Sequence, residues 1–198
     1  MRDAKARFVV LSLLLSCSPR VAAAAAVVDT TGITACAISG WSDDDDPAGL
    51  NVRAAPRADA AVLSRIPPPQ SQGGDSYAAE FKIIGSRNGW LLISGVKFAD
   101  YGNGKGDHVL FAGPGWVFAD KVRFLVNRPE VRSAPTATAK VVTRLQTDDH
   151  ASGPDSAAVD HVYGCSGEFA DAGVHMPDQH STRGWVTGIC SNQVTTCP

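Results

Sequence analysis

The stretch VRAAPRADAAVLSRI, starting at Val52, returns seventy-nine residues later as VRSAPTATAKVVTRL, starting at Val131, with no gap between the copies. Val52 falls on Val131, Arg53 on Arg132, Pro56 on Pro135, Val62 on Val141 and Arg65 on Arg144, and mismatches such as Ile66 on Leu145 keep polarity and approximate size. A chain that carries one segment twice at this spacing is constrained to build the same supersecondary unit twice. With 198 residues it has the length for two small units, each with a small core.

The rest of the chain follows the same division. In the first unit, Leu50 and Val52, residues 62–66, 81–84, 90–93 and 115–118 form short strand-like runs, separated by turn-forming stretches such as 54–59 and 85–89. The second unit repeats the order in more polar material: Val131 and Arg132, residues 141–145, Val162 and Tyr163, Glu168 and Phe169, then 184–186. Both close on Gly-Trp-Val. Helical periodicity is nearly absent, and one turn over residues 57–61 suffices for the helix-compatible piece. The expected fold class is all-β, with two small barrels in tandem.

The order Leu50-Asn51-Val52-Arg53 with Pro56, then Val62-Leu63 with Ile66, Asn88-Gly89-Trp90 with Ile93, and Gly115-Trp116-Val117 resembles the bacterial SH3-like (SH3b) domain. The second copy keeps Val131, Arg132, Pro135, Val141, Val142, Leu145 and Gly184-Trp185-Val186, lacks the Leu-Asn start, and has Glu168-Phe169 in place of the middle Gly-Trp. The resemblance implies two SH3-like barrels, residues 27–125 with an N-terminal extension and a divergent copy over 126–198. It also implies recognition of cell-wall material or protein ligands, without catalysis. Independently of that, a barrel of this size needs a few large fillers, so Trp116 and Trp185, with Val52 and Val131, are the expected core. Glycine before each tryptophan fits a close backbone approach, and Arg53 and Arg132, one place after inward valines, are expected to point outward.

Residues 1–26 have the marks of a secretory signal peptide: Arg2, Lys5 and Arg7, an apolar run from Phe8 to Leu15, then Pro19 and alanines. That run is too short to span a bilayer, and no later segment is long enough. Leu14-Leu15-Ser16-Cys17 also resembles a lipobox, which would make the product a lipoprotein anchored through Cys17. Either way an exported, periplasmic or secreted protein is expected. Removing the segment moves the formal charge from −2 to −5, the wrong sign for a nucleic-acid binder. Four cysteines remain, Cys36, Cys165, Cys190 and Cys197, an even number suited to two disulfides in an exported chain. They allow three connectivities; the preferred one bridges Cys165 to Cys190, stapling the second unit.

No cofactor or metal site is expected. The acidic run Asp43 to Asp46 fails the EF-hand pattern, since the twelfth position counted from Asp44 is Ala55. His175 and His180 lack the spacing of a helical zinc pair. Gly164-Cys165-Ser166-Gly167, Ser94 to Lys97 and the Gly102–Gly106 stretch each miss the remaining residues of the catalytic or phosphate-binding motifs they imitate. Binding is therefore the expected function. The insertion at residues 97–113 offers Tyr101, Lys105, Asp107 and His108, with Trp90 as a further aromatic contact, for peptidoglycan or an envelope protein. The alternative is a structural or accessory subunit of an envelope complex with no polymer ligand.

Overall fold

The computed structural model describes residues 26–72, 74–102, 104–147, 152–177, 179–194 and 197. The segment read as a signal peptide, apart from Ala26, lies outside them, and so do Cys17 and His150. The first part of the chain forms β1 (Thr34–Ser42), β2 (Leu50–Arg53), β3 (Val62–Ile66), β4 (Gln70–Gln72), β5 (Asp75–Tyr77) and β6 (Glu80–Arg87). Then come β7 (Trp90–Phe98), β8 (His108–Phe111), β9 (Gly115–Phe118), β10 (Val122–Arg123) and β11 (Leu125–Val126). The remainder gives β12 (Glu130–Arg132), β13 (Val141–Arg144), β14 (Ala158–Ser166), β15 (Phe169–His175), β16 (Thr182–Val186) and β17 (Ile189–Cys190). The protein is all-β: the described residues contain no α-helix, only single 3-10 turns at Ala119–Lys121 and Pro154–Ser156.

Two antiparallel ladders carry the fold. The first runs β10-β1-β6-β7-β9-β2-β3 with β8 added to β7, and the second runs β13-β12-β16-β15-β14. The order β3-β2-β9-β7-β6 is thus repeated strand for strand. The repetition extends to single hydrogen bonds. Arg53 Nη1 donates to the Ala60 carbonyl at 2.9 Å and Arg132 Nη1 to the Ala139 carbonyl at 3.0 Å, while Ala54 N to Ala61 O and Ser133 N to Lys140 O are both 2.9 Å. Each arginine is therefore half-buried and braces its own hairpin. The outward heads expected from strict alternation are lost because the register shifts after Val52 and after Val131. Among the described residues neither ladder closes, since β3 pairs only with β2, and β13 only with β12. The expected barrels are, at the level of hydrogen bonding, open sheets.

Gly115 and Gly184 show why both copies end on Gly-Trp-Val. A Cβ on Gly115 would stand 2.3 Å from Val52 Cγ1, and one on Gly184 would stand 2.6 Å from Val131 Cγ1. Only glycine lets the closing strand cross its partner this closely. Val52, Val131, Val117 and Val186 are all fully buried there, within one apolar cluster that continues across both ladders.

Trp116 is fully buried, but Trp185 is only half-buried. The difference comes from the N-terminal segment, which has no counterpart in the second unit. Asp29 N donates to the Ala54 carbonyl at 2.8 Å, and the Asp29 carbonyl accepts from Trp116 Nε1 at 2.8 Å. The Asp29 carboxylate pairs with Arg87 at 2.6 Å, and the Arg87 guanidinium lies 5.5 Å from the Trp116 ring centre. Hydrogen bonds from Thr31 and Arg87 hold the Asp29 carboxyl well below the usual carboxylate range.

The disulfides are Cys36–Cys165 and Cys190–Cys197, so the expected Cys165–Cys190 bridge is not formed. Its basis was stapling within the second unit; the chain instead staples the two ladders to each other through β1. Beside the first bridge, Ala37 N donates to Gly167 O at 2.7 Å and Gly167 N to Ala35 O at 2.8 Å, and Ser86 Oγ donates to Cys165 O at 2.9 Å. Two disulfides point to an oxidising, extracytoplasmic environment. No helix among the described residues is long and apolar enough to cross a membrane.

Candidate ligand-binding groove

The insertion after β7 folds on its own carboxylates. Asp107 accepts from Lys97 Nζ and from Asp100 N at 3.1 Å, and Asp100 accepts from Gly106 N at 2.6 Å. The Lys97 ammonium and the Asp100 amide lower the Asp107 carboxyl. Asp107, expected to meet a ligand, is therefore engaged in shaping the loop.

Tyr101 is engaged as well. Its ring lies 4.8 Å from that of Tyr77, its hydroxyl donates to the Glu80 carboxylate and accepts from Gln193 N at 3.3 Å. Glu80 is buried and also accepts from Ser191 Oγ at 3.0 Å. The Gln193 side chain completes the node, accepting from Ala78 N at 2.9 Å and donating to Ala78 O at 3.0 Å. Tyr101 thus ties the C-terminal segment to the first ladder, a role its place in a glycine-rich loop did not reveal.

Burial pushes the Glu80 carboxyl up, against the hydrogen bonds from Ser191 and Gln193 that favour its charged form. A raised folded value means that folding favours the protonated acid. The stabilisation is complete below the ordinary glutamate value of about 4.3 and is lost as pH rises through the raised value. Relative to Glu80→Gln, the native protein is therefore expected to lose stability as pH rises above the ordinary glutamate value, which urea midpoints measured at rising pH will show. A difference independent of pH would contradict this.

Between the β4–β5 hairpin and this loop lies a groove of about 400 Å³. Tyr77 and Phe98 supply aromatic surface, Gln70 and Ser71 stand on one wall, and the exposed Lys105 and His108 on the other. Lys105 borders this groove, and the aromatic surface beside it is Tyr77 and Phe98 rather than Tyr101. Neither was legible beforehand, because only the fold brings β5 against the end of β7. Trp90 is remote: it begins β7 where Phe98 ends it, a separation of about 26 Å along an extended strand. Trp90 packs edge-on against Phe118 at 5.6 Å. Phe118 in turn borders a cleft of about 350 Å³ between the ladders, lined also by His161, Val162 and Tyr163.

Other chemistry-bearing groups are held by structural partners. Asp43 pairs with Arg123 at 3.1 Å and Asp44 with Lys121 at 3.2 Å, so the acidic run is partly neutralised. No cluster of three or more metal-ligating side chains occurs among the described residues. Asp160 accepts from His175 Nδ1 at 3.0 Å and also from Ser181. The serine therefore sits on the carboxylate rather than on the imidazole, unlike the order a nucleophilic triad requires.

Comparison with protein-family models, with curated proteins and with solved structures returned no match.

Proposed function

We propose that the chain is an exported, non-catalytic binding protein of the cell envelope, built from tandem SH3-like modules over residues 27–125 and 126–198. Its ligand is peptidoglycan or an envelope protein, bound in the groove between the β4–β5 hairpin and the loop after β7. The observation that carries this reading is the meeting of Tyr77 and Phe98 with Lys105, His108, Ser71 and Gln70 around one concave space. Aromatic faces cover apolar ring or backbone surface while amide, hydroxyl and cationic donors fix orientation. Lys105 and His108 suit the carboxylates of wall peptides.

A second reading, an accessory subunit of an envelope complex without polymer ligand, is favoured by the exposed Phe118 and Tyr163 at the junction of the ladders. Co-sedimentation of residues 27–198 with purified peptidoglycan distinguishes the two. Retention is expected, reduced about tenfold in a folded Lys105→Ala/His108→Ala variant. Absence of retention at low salt would remove the wall polymer as ligand and favour the accessory role.

A further inference from the structure

The repeat supplies its own control for one surface. On the outer side of the first ladder, Trp116 is sealed by residues 28–31, whose backbone donates to Ala54 O and accepts from the indole N–H and from Arg87. The corresponding positions in the second ladder are Trp185 and Ser133, since Arg132 pairs with Trp185 as Arg53 pairs with Trp116. Nothing in the described chain covers them in the same way. Trp185 is half-buried, and among the described residues its indole N–H has no hydrogen-bond partner and is not buried.

Charge indicates the occupant. Arg183, two residues before Trp185 and hence on the same face, donates Nε and Nη2 to Asp171 at 3.0 and 2.7 Å, which leaves Nη1 without a partner among the described residues. Its guanidinium lies 3.7 Å from the Tyr163 ring centre, as that of Arg87 lies over Trp116. Beyond Trp185 on the other side, Thr187 and Phe169 border a cavity of about 440 Å³ that also holds Arg128 and Arg132. Arg128 is exposed and makes no ion pair among the described residues. Of the nearby carboxylates, Asp171 is engaged by Arg183 and Glu130 by Arg144, leaving Glu168. Guanidinium donors thus flank an aromatic face on an otherwise acidic protein.

We propose that the outer face of the second ladder, centred on Trp185, binds an extended acidic peptide segment of a partner protein, in the manner in which residues 28–31 bind the first ladder. Its backbone engages the Trp185 indole N–H and the Ser133 carbonyl, and a carboxylate side chain takes the remaining Nη1 of Arg183. This assignment is independent of the groove beside Lys105.

The probe is a synthetic peptide of residues 26–33, AVVDTTGI, with blocked ends, titrated into residues 27–198 while the four tryptophan indole N–H resonances are followed by NMR. Trp185→Phe assigns its signal, and backbone assignment serves equally if that variant does not fold. The expected result is a saturating shift of the Trp185 signal at up to about 1 mM peptide, with Trp116 unmoved because its own segment is held at high effective concentration. Asn in place of Asp in the peptide, or Arg183→Gln in the protein, should each weaken binding about tenfold. A Trp185 signal that does not move, or binding indifferent to both changes, overturns the proposal. A shift that grows with protein concentration alone assigns the face to a second copy and overturns it as well.

Discussion

Replacing Cys36 and Cys165 together by alanine is expected to lower the unfolding free energy by about 5 kcal/mol. The bridge spans 129 residues of sequence, so in its absence the denatured chain regains the entropy of a very long loop. It also fixes β1 against β14, where Ser86 and Gly167 make hydrogen bonds that join the two ladders. Replacing Cys190 and Cys197, which are 7 residues apart, should remove only about 2 kcal/mol. Urea unfolding of the two double variants checks the order. Equal losses, or a larger loss from the C-terminal pair, would show that the first bridge does not constrain the fold as described.

The second large effect distinguishes the two tryptophans. Trp116→Ala is expected to destabilise by about 4 kcal/mol, because it empties a fully buried site, frees the Asp29 carbonyl and removes the ring beneath Arg87. Trp185→Ala should lose less, about 2 to 3 kcal/mol, since Trp185 is only partly buried and no backbone carbonyl among the described residues holds its indole N–H. Unfolding midpoints with unchanged denaturant slopes would measure both. Comparable losses would mean that Trp185 is sealed in solution by a segment or a partner.

The sequence carried the ladder strands because their apolar residues recur in the same order, and Phe169 does take the hairpin position of Trp90: Ser166 pairs with Phe169 as Arg87 pairs with Trp90. It did not disclose β1. That strand buries Gly40 and Ser42 as well as Ile38, too little apolar alternation to mark a strand, and the repeat offers no second example. Without β1, nothing in the sequence places Cys36 beside Cys165, and the more polar second unit instead suggests a staple from Cys165 to Cys190 within itself. The site was legible only in part for a related reason. Loop composition names Lys105, which borders the groove, but the sequence also groups with it Trp90, which β7 carries to the far end of the ladder. It likewise left unseen the Glu80 node, in which Tyr101 meets a C-terminal segment more than ninety residues away.

The most direct test of two ladders clamped through β1 is disulfide mapping of the oxidised protein by trypsin digestion without reduction. The account predicts that the fragment ending at Arg53, which contains Cys36, is joined to residues 145–183, which contain Cys165, while residues 184–198 are released alone with an internal bridge. Linkage of 145–183 to 184–198 would place Cys165 on Cys190 or Cys197 and contradict it.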